Sequence, residues 1–162
     1  MDNKDVLKLV GELYALRKEN QDFLHARYLK DDRALVPYKE AIAQSISPAE
    51  PWTTPVKISQ DRKAISDYRK AAGDPENLAD LMLFYIECGV TYIKEWEDAD
   101  ETFYSSLVSV FTDGMEMLDR CDQNAIRRLL PRFEEAVQST AEMIWSFHER
   151  LCEIFETYAP DV

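Results

Sequence analysis

The chain has 162 residues, of which 46% are apolar, so it is long enough for one domain with a hydrophobic core. It carries 31 acidic and 19 basic residues, and the net charge of −12 argues against a nucleic-acid-binding protein, because phosphate recognition needs a basic surface. No stretch approaches the ~18 consecutive apolar residues of a membrane span, and the amino terminus lacks the uninterrupted apolar region of a signal peptide.

Helical periodicity dominates the first third of the chain. A first helix is predicted from an apolar face that ends in the polar run 17–20; its residues are Val6, Leu9, Val10, Leu13 and Tyr14. A weaker pattern predicts a second helix around residues 23–29. A third helix, with Pro37 in its first turn or at a kink, is predicted from the spacing of Leu35, Tyr38, Ile42 and Ile46.

Residues 47–57, SPAEPWTTPVK, interrupt this pattern. Their three prolines disfavour a helix and favour an extended path. We therefore expect a single helical domain over residues 1–162, in which this segment is an internal linker between an amino-terminal helical part and the main helical body. Trp52 has two interpretations: an anchor that packs on the body, which is the commoner role of a lone tryptophan, or an exposed contact for a partner.

The next two helices are predicted from their end signals. Ser59 is a candidate N-cap, Gly73 ends that helix, and Asp74 followed by Pro75 starts the next one. The helix from Pro75 is apolar over most of its circumference, so it should be packed on several sides. Its remaining polar arc consists of Asp80, Glu87, Thr91, Lys94 and Asp98.

Further helices are predicted in the C-terminal half. Asp98 or Asp100 can cap an amphipathic helix, and Asp122 can cap the one after it. From Pro131 to Tyr158 one helical period is kept, which predicts a single long helix if it is unbroken, while Pro131 suggests a separate short helix over residues 125–130. Strand-like alternation is missing, so we predict an all-α fold: six to eight helices packed as antiparallel helical hairpins, in a bundle or a short solenoid-like array.

Three stretches carry a resemblance to a known family. They are VKISQDRKAISDYRKA (56–71), DPENLADLMLFYIECGVTYIKEWEDADETFYSSL (74–107) and IWSFHERLCEIFETY (144–158). Over about residues 55–158 the chain resembles a bacterial family of small all-helical proteins catalogued as a domain of unknown function. The resemblance implies an all-helical, bacterial, cytoplasmic protein, and it implies no catalytic residues.

His148 is the residue most suggestive of a reactive site, because it lies on the apolar face of the last predicted helix. A buried imidazole is either a core residue with a hydrogen-bond partner or a general base or ligand-binding group in a pocket. Such a pocket could include Glu87, Tyr85 and Tyr92, although the polar arc that contains Glu87 is more simply a solvated stripe. This gives the alternative function, an enzyme or a small-ligand-binding protein with a pocket around His148.

The sequence predicts no metal and no cofactor. His148 and Cys152 are four residues apart and could share a metal, but a zinc site needs three or four protein ligands and His25 is the only other histidine. A di-iron bundle needs two Glu-x-x-His motifs, which the chain lacks. The three scattered cysteines, with Cys88 and Cys121 as the other two, favour a reducing cytoplasmic location.

The acidity is concentrated in the C-terminal half. Residues 1–81 contain 13 basic and 14 acidic residues, whereas residues 82–162 contain 6 and 17. An outward ridge on the last helix is predicted from Glu135, Glu142, Glu149, Glu153 and Glu156. Such a ridge is either a solvated face or a docking surface. The leading hypothesis is a non-enzymatic protein-interaction module that binds a basic protein partner, not nucleic acid or a membrane, and whose oligomeric state stays open.

Overall fold

The computed structural model describes residues 2–29, 32–46, 58–96 and 99–159. These residues form eight α-helices and a short 3₁₀ helix at Asp32–Ala34, with no β-strand among them. The helices are α1 (Asn3–Leu16), α2 (Lys18–Tyr28), α3 (Val36–Ile46), α4 (Ile58–Ala71), α5 (Pro75–Trp96), α6 (Glu101–Asp119), α7 (Gln123–Gln138) and α8 (Trp145–Tyr158). The prediction of an all-α fold is confirmed.

Helix α5 is the centre of the bundle. It contacts α3, α4, α6 and α7, and twelve of its 22 residues are buried. Most of its apolar residues lie in the core, where Leu81, Met82 and Ile86 are enclosed almost completely. A helix that is apolar over most of its circumference removes that surface from water only when neighbours surround it, which explains its central position.

Aspartate caps set three helix starts where the sequence predicts them. The carboxylates of Asp74, Asp100 and Asp122 each accept hydrogen bonds of 2.8–3.1 Å from backbone N–H groups in the first turn of α5, α6 and α7. The cap predicted at Ser59 is wrong, because α4 begins at Ile58 and includes Ser59. Serine is tolerated inside a helix as well as at its cap, so a short polar residue alone does not fix the first position.

Gly73 ends α4 with a left-handed backbone, at φ +66°. A Cβ at this position would lie 3.2 Å from the carbonyl oxygen of Arg69. Gly73→Ala is therefore expected to lower the free energy of unfolding by about 1 kcal/mol, measured by urea titration. Gly11→Ala is the control, because Gly11 lies inside α1 with nothing within 4 Å of an added Cβ. Equal losses in the two variants would contradict the role of the left-handed backbone.

The amino-terminal helices differ sharply in burial. The helical conformation is interrupted between α1 and α2 at Arg17, whose backbone is extended (φ −148°, ψ 146°). Helix α1 packs against α2 and has no buried residue, whereas α2 and α3 both pack against α4. In that contact the rings of Tyr38 and Tyr68 meet edge-on, with their centroids 5.2 Å apart. The apolar face predicted for the first helix therefore exists, but it lies in solvent.

The single long helix predicted from Pro131 to Tyr158 is wrong. Helix α7 ends at Gln138, residues 139–144 form a turn, and α8 follows. The fully buried Thr140 closes this turn, since its hydroxyl donates to the Val137 carbonyl at 2.6 Å. The short helix predicted over 125–130 is also wrong, because Pro131 lies inside α7 with its side chain exposed. A proline in a helix removes one backbone hydrogen bond, and here the helix continues past it.

Some predictions concern residues outside the described ranges. They include the linker 47–57, the role of Trp52 and the alternative cap Asp98. These stay predictions. None of the described helices is both long enough and apolar enough to cross a bilayer.

Candidate functional site

His148 lies in the first turn of α8 and is half-buried. Its Nδ1 is 2.9 Å from the Thr140 hydroxyl oxygen, and its Nε2 is 3.5 Å from the Cys152 sulfur. Because Thr140 donates its only hydroxyl proton to the Val137 carbonyl, the assignment that satisfies all these groups has Nδ1–H donating to Thr140 and the Cys152 thiol donating to Nε2. Both ring nitrogens thus have protein partners, and the ring ties α8 to the preceding turn.

Two tyrosines of the predicted pocket lie in the contact between α5 and α6. The Tyr85 hydroxyl is 2.9 Å from the Ser106 hydroxyl, and Tyr85 is fully buried. The Tyr92 ring packs edge-on against Phe103, with the centroids 5.8 Å apart. His148, by contrast, bonds to Thr140 of the turn after α7 and to Cys152 of its own helix.

An ion-pair network that the sequence pattern did not predict joins three helices. Asp80 on α5 is only 5% exposed, and its carboxylate accepts from Lys39 Nζ of α3 and from Arg132 Nη1 of α7, each at 2.6 Å. Arg132 Nη2 also lies 2.8 Å from both carboxylate oxygens of Glu87. The Lys39 ammonium sits 5.4 Å from the centre of the Phe84 ring. Four alternating charges therefore connect α3, α5 and α7.

The electrostatics of this network keep Asp80 and Arg132 ionised. Burial raises the pKa of the Asp80 carboxyl, but hydrogen bonds from Lys39 and Arg132 outweigh that effect and hold the pKa below its ordinary value. Burial likewise lowers the pKa of Arg132, but Asp80 and Glu87 outweigh it and leave the pKa raised. Asp80 and Arg132 are therefore stable charges that hold α5 and α7 together, rather than a proton donor or acceptor at neutral pH.

Glu87 lines a cleft of about 240 Å³ between α5 and α7, which Lys94 and Glu135 also line. Its two carboxylate oxygens are both occupied by the Arg132 guanidinium. The structure thus places Glu87 in a groove between helices, but as the partner of a cation. The polar arc that the sequence suggested to be solvated is partly covered by α3 and α7.

The glutamates of the predicted ridge do not share one helix, because the turn at 139–144 divides that helix in two. One lies on α7, one in the turn and three on α8; they are Glu135, Glu142, Glu149, Glu153 and Glu156, and all five are exposed. Glu153 pairs with Arg150 at 3.3 Å. The other four form no ion pair with any residue that the structure describes.

A groove of about 630 Å³ lies between α6 and α8, next to these carboxylates. In its lining the rings of Tyr104 and Phe147 meet edge-on, with their centroids 5.0 Å apart. Ser146 and Arg150 of α8 line the groove, and Glu149 and Glu153 each follow one of them by three residues. Residues three apart in a helix are neighbours on its surface. Arg150 pairs there with Glu153, and Glu101 adds a carboxylate to the lining. The result is a mostly apolar groove with an acidic rim.

The described side chains offer little for metal or thiol chemistry. In residues 2–29, 32–46, 58–96 and 99–159, no three His, Cys, Asp or Glu side chains come together in a way that could hold a metal ion. The three cysteines are free thiols. Burial, reinforced by nearby carboxylates, raises the pKa of the Cys121 thiol to about 11, so this thiol stays protonated and unreactive at neutral pH.

Comparison of the chain with protein-family models, curated proteins and solved structures yields no match. The resemblance to a bacterial family catalogued as a domain of unknown function therefore stays a prediction. Inferences about function have to come from the geometry of the chain's own residues.

Proposed function

We propose that the protein is a non-enzymatic interaction module that binds a basic protein partner through its C-terminal half. The observation that carries the proposal is the apolar groove between α6 and α8 with exposed glutamates along its rim. An amphipathic helix with lysine and arginine beside its apolar face would match both features. Its apolar side chains would fill the groove, and its cations would meet the rim.

The charge balance of the C-terminal half supports this choice of partner. Three of its six basic residues, Arg128, Arg132 and Arg150, already pair with glutamates of the chain. The half contains seventeen acidic residues, so a large excess of negative charge remains. Such a surface attracts cationic partners and repels polyanions such as nucleic acids.

The test uses two synthetic amphipathic helices with the same apolar face, one carrying lysine and the other glutamate on its flanks. We expect the full chain to bind the lysine peptide in a fluorescence anisotropy titration, with affinity that falls as salt rises. Glu149→Lys combined with Glu153→Lys should weaken binding roughly tenfold at low salt, because two attractions become repulsions. Glu40→Lys combined with Glu116→Lys is the control, with the same change in net charge at exposed sites elsewhere.

Two outcomes would contradict the proposal. Binding of the lysine peptide that does not respond to salt would rule out the acidic rim as its basis. An equal loss in both double variants would mean that only net charge, rather than the rim beside the groove, attracts the peptide.

The alternative, an enzyme or small-ligand-binding protein with a pocket around His148, has less support. Both nitrogens of that ring already have protein partners. The alternative stays a prediction, as does the cytoplasmic location.

A further inference from the structure

Helix α1 packs against α2, where Tyr14 contacts His25, but much of its apolar face stays exposed. Seven large apolar side chains in this one helix are between 37% and 73% exposed; they are Val6, Leu7, Leu9, Val10, Leu13, Tyr14 and Leu16. Contiguous apolar surface on this scale marks an interaction site rather than an ordinary solvent-facing helix. The face belongs to the nearly neutral amino-terminal half, far along the chain from the acidic rim.

Helix α1 has features that make an isolated helix only marginally stable. It has 14 residues, close to the lower limit of about 12–15 at which isolated helices are marginal in water. Gly11 in its interior weakens it further. Its start is nevertheless well made, since Asp2 and Asp5 form a reciprocal capping box. An amphipathic helix that is capped at its start and has no buried residue is typical of an element that packs against another protein surface.

The spacing of the apolar residues is that of a coiled-coil seam. Val6, Leu9, Leu13 and Leu16 follow one another at intervals of three, four and three residues, which makes them successive a, d, a and d positions. A seam of this kind is self-complementary, because each copy offers the same knobs and holes to the other. The charged side chains between residues 2 and 17, three acidic and three basic, add no net repulsion.

Charges beside the seam distinguish the two ways of pairing. In this register Asp5 and Glu12 are g positions, whereas the e position inside the helix is the uncharged Val10. Parallel helices bring g residues of one copy next to e residues of the other, so a parallel pair places no like charges together. An antiparallel pair would instead bring Glu12 close to the g-position Asp5 of the second copy, which is repulsive. In the described chain Glu12 meets only Lys8, 3.9 Å away on the same exposed helix face. A membrane surface fits less well, because the polar face is mixed in sign rather than rich in lysine.

We propose that α1 forms a parallel dimer with α1 of a second copy of this chain, with Val6, Leu9, Leu13 and Leu16 in the seam. The acidic rim of α8 lies outside this interface. The proposal therefore goes beyond the binding of a basic partner and does not depend on it.

Sedimentation equilibrium of the full chain over micromolar to millimolar concentration tests the dimer. The wild-type chain should reach twice the 18.8 kDa of one chain. Leu9→Glu should raise the dimer dissociation constant by roughly 100-fold or more, since each dimer loses two buried leucines and gains two buried charges. Leu7→Glu, the same substitution on the same helix outside the seam, should leave the constant almost unchanged. Circular dichroism checks that each variant stays helical.

Charge reversal tests the parallel register without removing any apolar side chain. Glu12→Lys should leave the dissociation constant of a parallel dimer almost unchanged, whereas it would tighten an antiparallel dimer severalfold, because the repulsion between Glu12 and Asp5 would become an attraction. A wild-type chain that stays monomeric throughout the range would overturn the proposal and leave the face to a different partner. Dimers that respond equally to Leu7→Glu and Leu9→Glu would overturn the seam. A Glu12→Lys dimer several times tighter than the wild-type dimer would overturn its parallel direction.

Discussion

Asp80→Asn is expected to lower the free energy of unfolding by about 2–4 kcal/mol at neutral pH. The substitution keeps the size of the side chain but removes the charge that Lys39 and Arg132 share, and it turns an N–H₂ group toward one of them. Breaking a buried ion pair from one side typically costs about 3–5 kcal/mol. The expected loss is somewhat smaller here, because the two cations are each about one third exposed and can regain some water. Urea unfolding followed by circular dichroism measures it.

The loss should also depend on pH in a defined direction. The folded-state pKa of Asp80 is below its ordinary value, so its carboxylate stabilises the fold fully above the unfolded pKa of about 3.9. That contribution is lost as pH falls below about 4 and through the folded pKa, so the difference between wild type and Asp80→Asn should shrink there. Glu153→Gln is the control: its pair with Arg150 is well exposed, so its removal should change stability by less than about 1 kcal/mol. Equal small losses in the two variants would mean that the network is not desolvated.

Gly89→Val is expected to cost about 3 kcal/mol by forcing α5 away from α6. An added Cβ at Gly89 would overlap Cδ2 of Leu107, and two more atoms of that side chain lie 3.2 and 3.3 Å away. Leu107 is fully buried, so its side chain has no free space into which it can move. The gain in helix propensity over glycine is smaller than this overlap, at about 0.5–1 kcal/mol even for alanine. Thermal and urea unfolding both measure the loss.

A double-mutant cycle shows whether this overlap is the cause. Leu107→Ala alone should cost about 2–5 kcal/mol, because it leaves a cavity between the two helices. In the Gly89→Val, Leu107→Ala double variant the valine fills part of that cavity, so the total loss should be at least about 2 kcal/mol below the sum of the single losses. Strict additivity would contradict a contact between the two positions.

Much of the fold was predictable because its signals are local. An aspartate before a helix supplies acceptors to backbone N–H groups a few residues away, which is why the caps at Asp74, Asp100 and Asp122 are where the sequence predicts them. Gly73 is equally local, since only the backbone at that residue has to turn left-handed. The all-round apolar character of α5 predicted its central position in the same way.

The candidate site was less predictable because its contacts join distant parts of the chain. Asp80 stands out in the sequence as an aspartate in an apolar helix, but its cations come from positions 41 residues before it and 52 residues after it. The sequence predicts the ridge of glutamates along one helix because the period of the apolar residues stays in phase across the turn at 139–144. That turn depends on the buried hydroxyl of Thr140 and its hydrogen bonds to Val137 and His148. The spacing of apolar residues contains no information about these bonds.

Local pattern was thus sufficient for the helical class, the starts of α5, α6 and α7, and the uneven distribution of charge between the two halves. Packing between helices settled which faces are covered: the polar arc of α5 is partly closed by cations from α3 and α7, while the apolar face of α1 stays open to solvent. The physical reason is that a periodic apolar stripe records a tendency to be buried, and burial requires a second surface whose position depends on the whole chain.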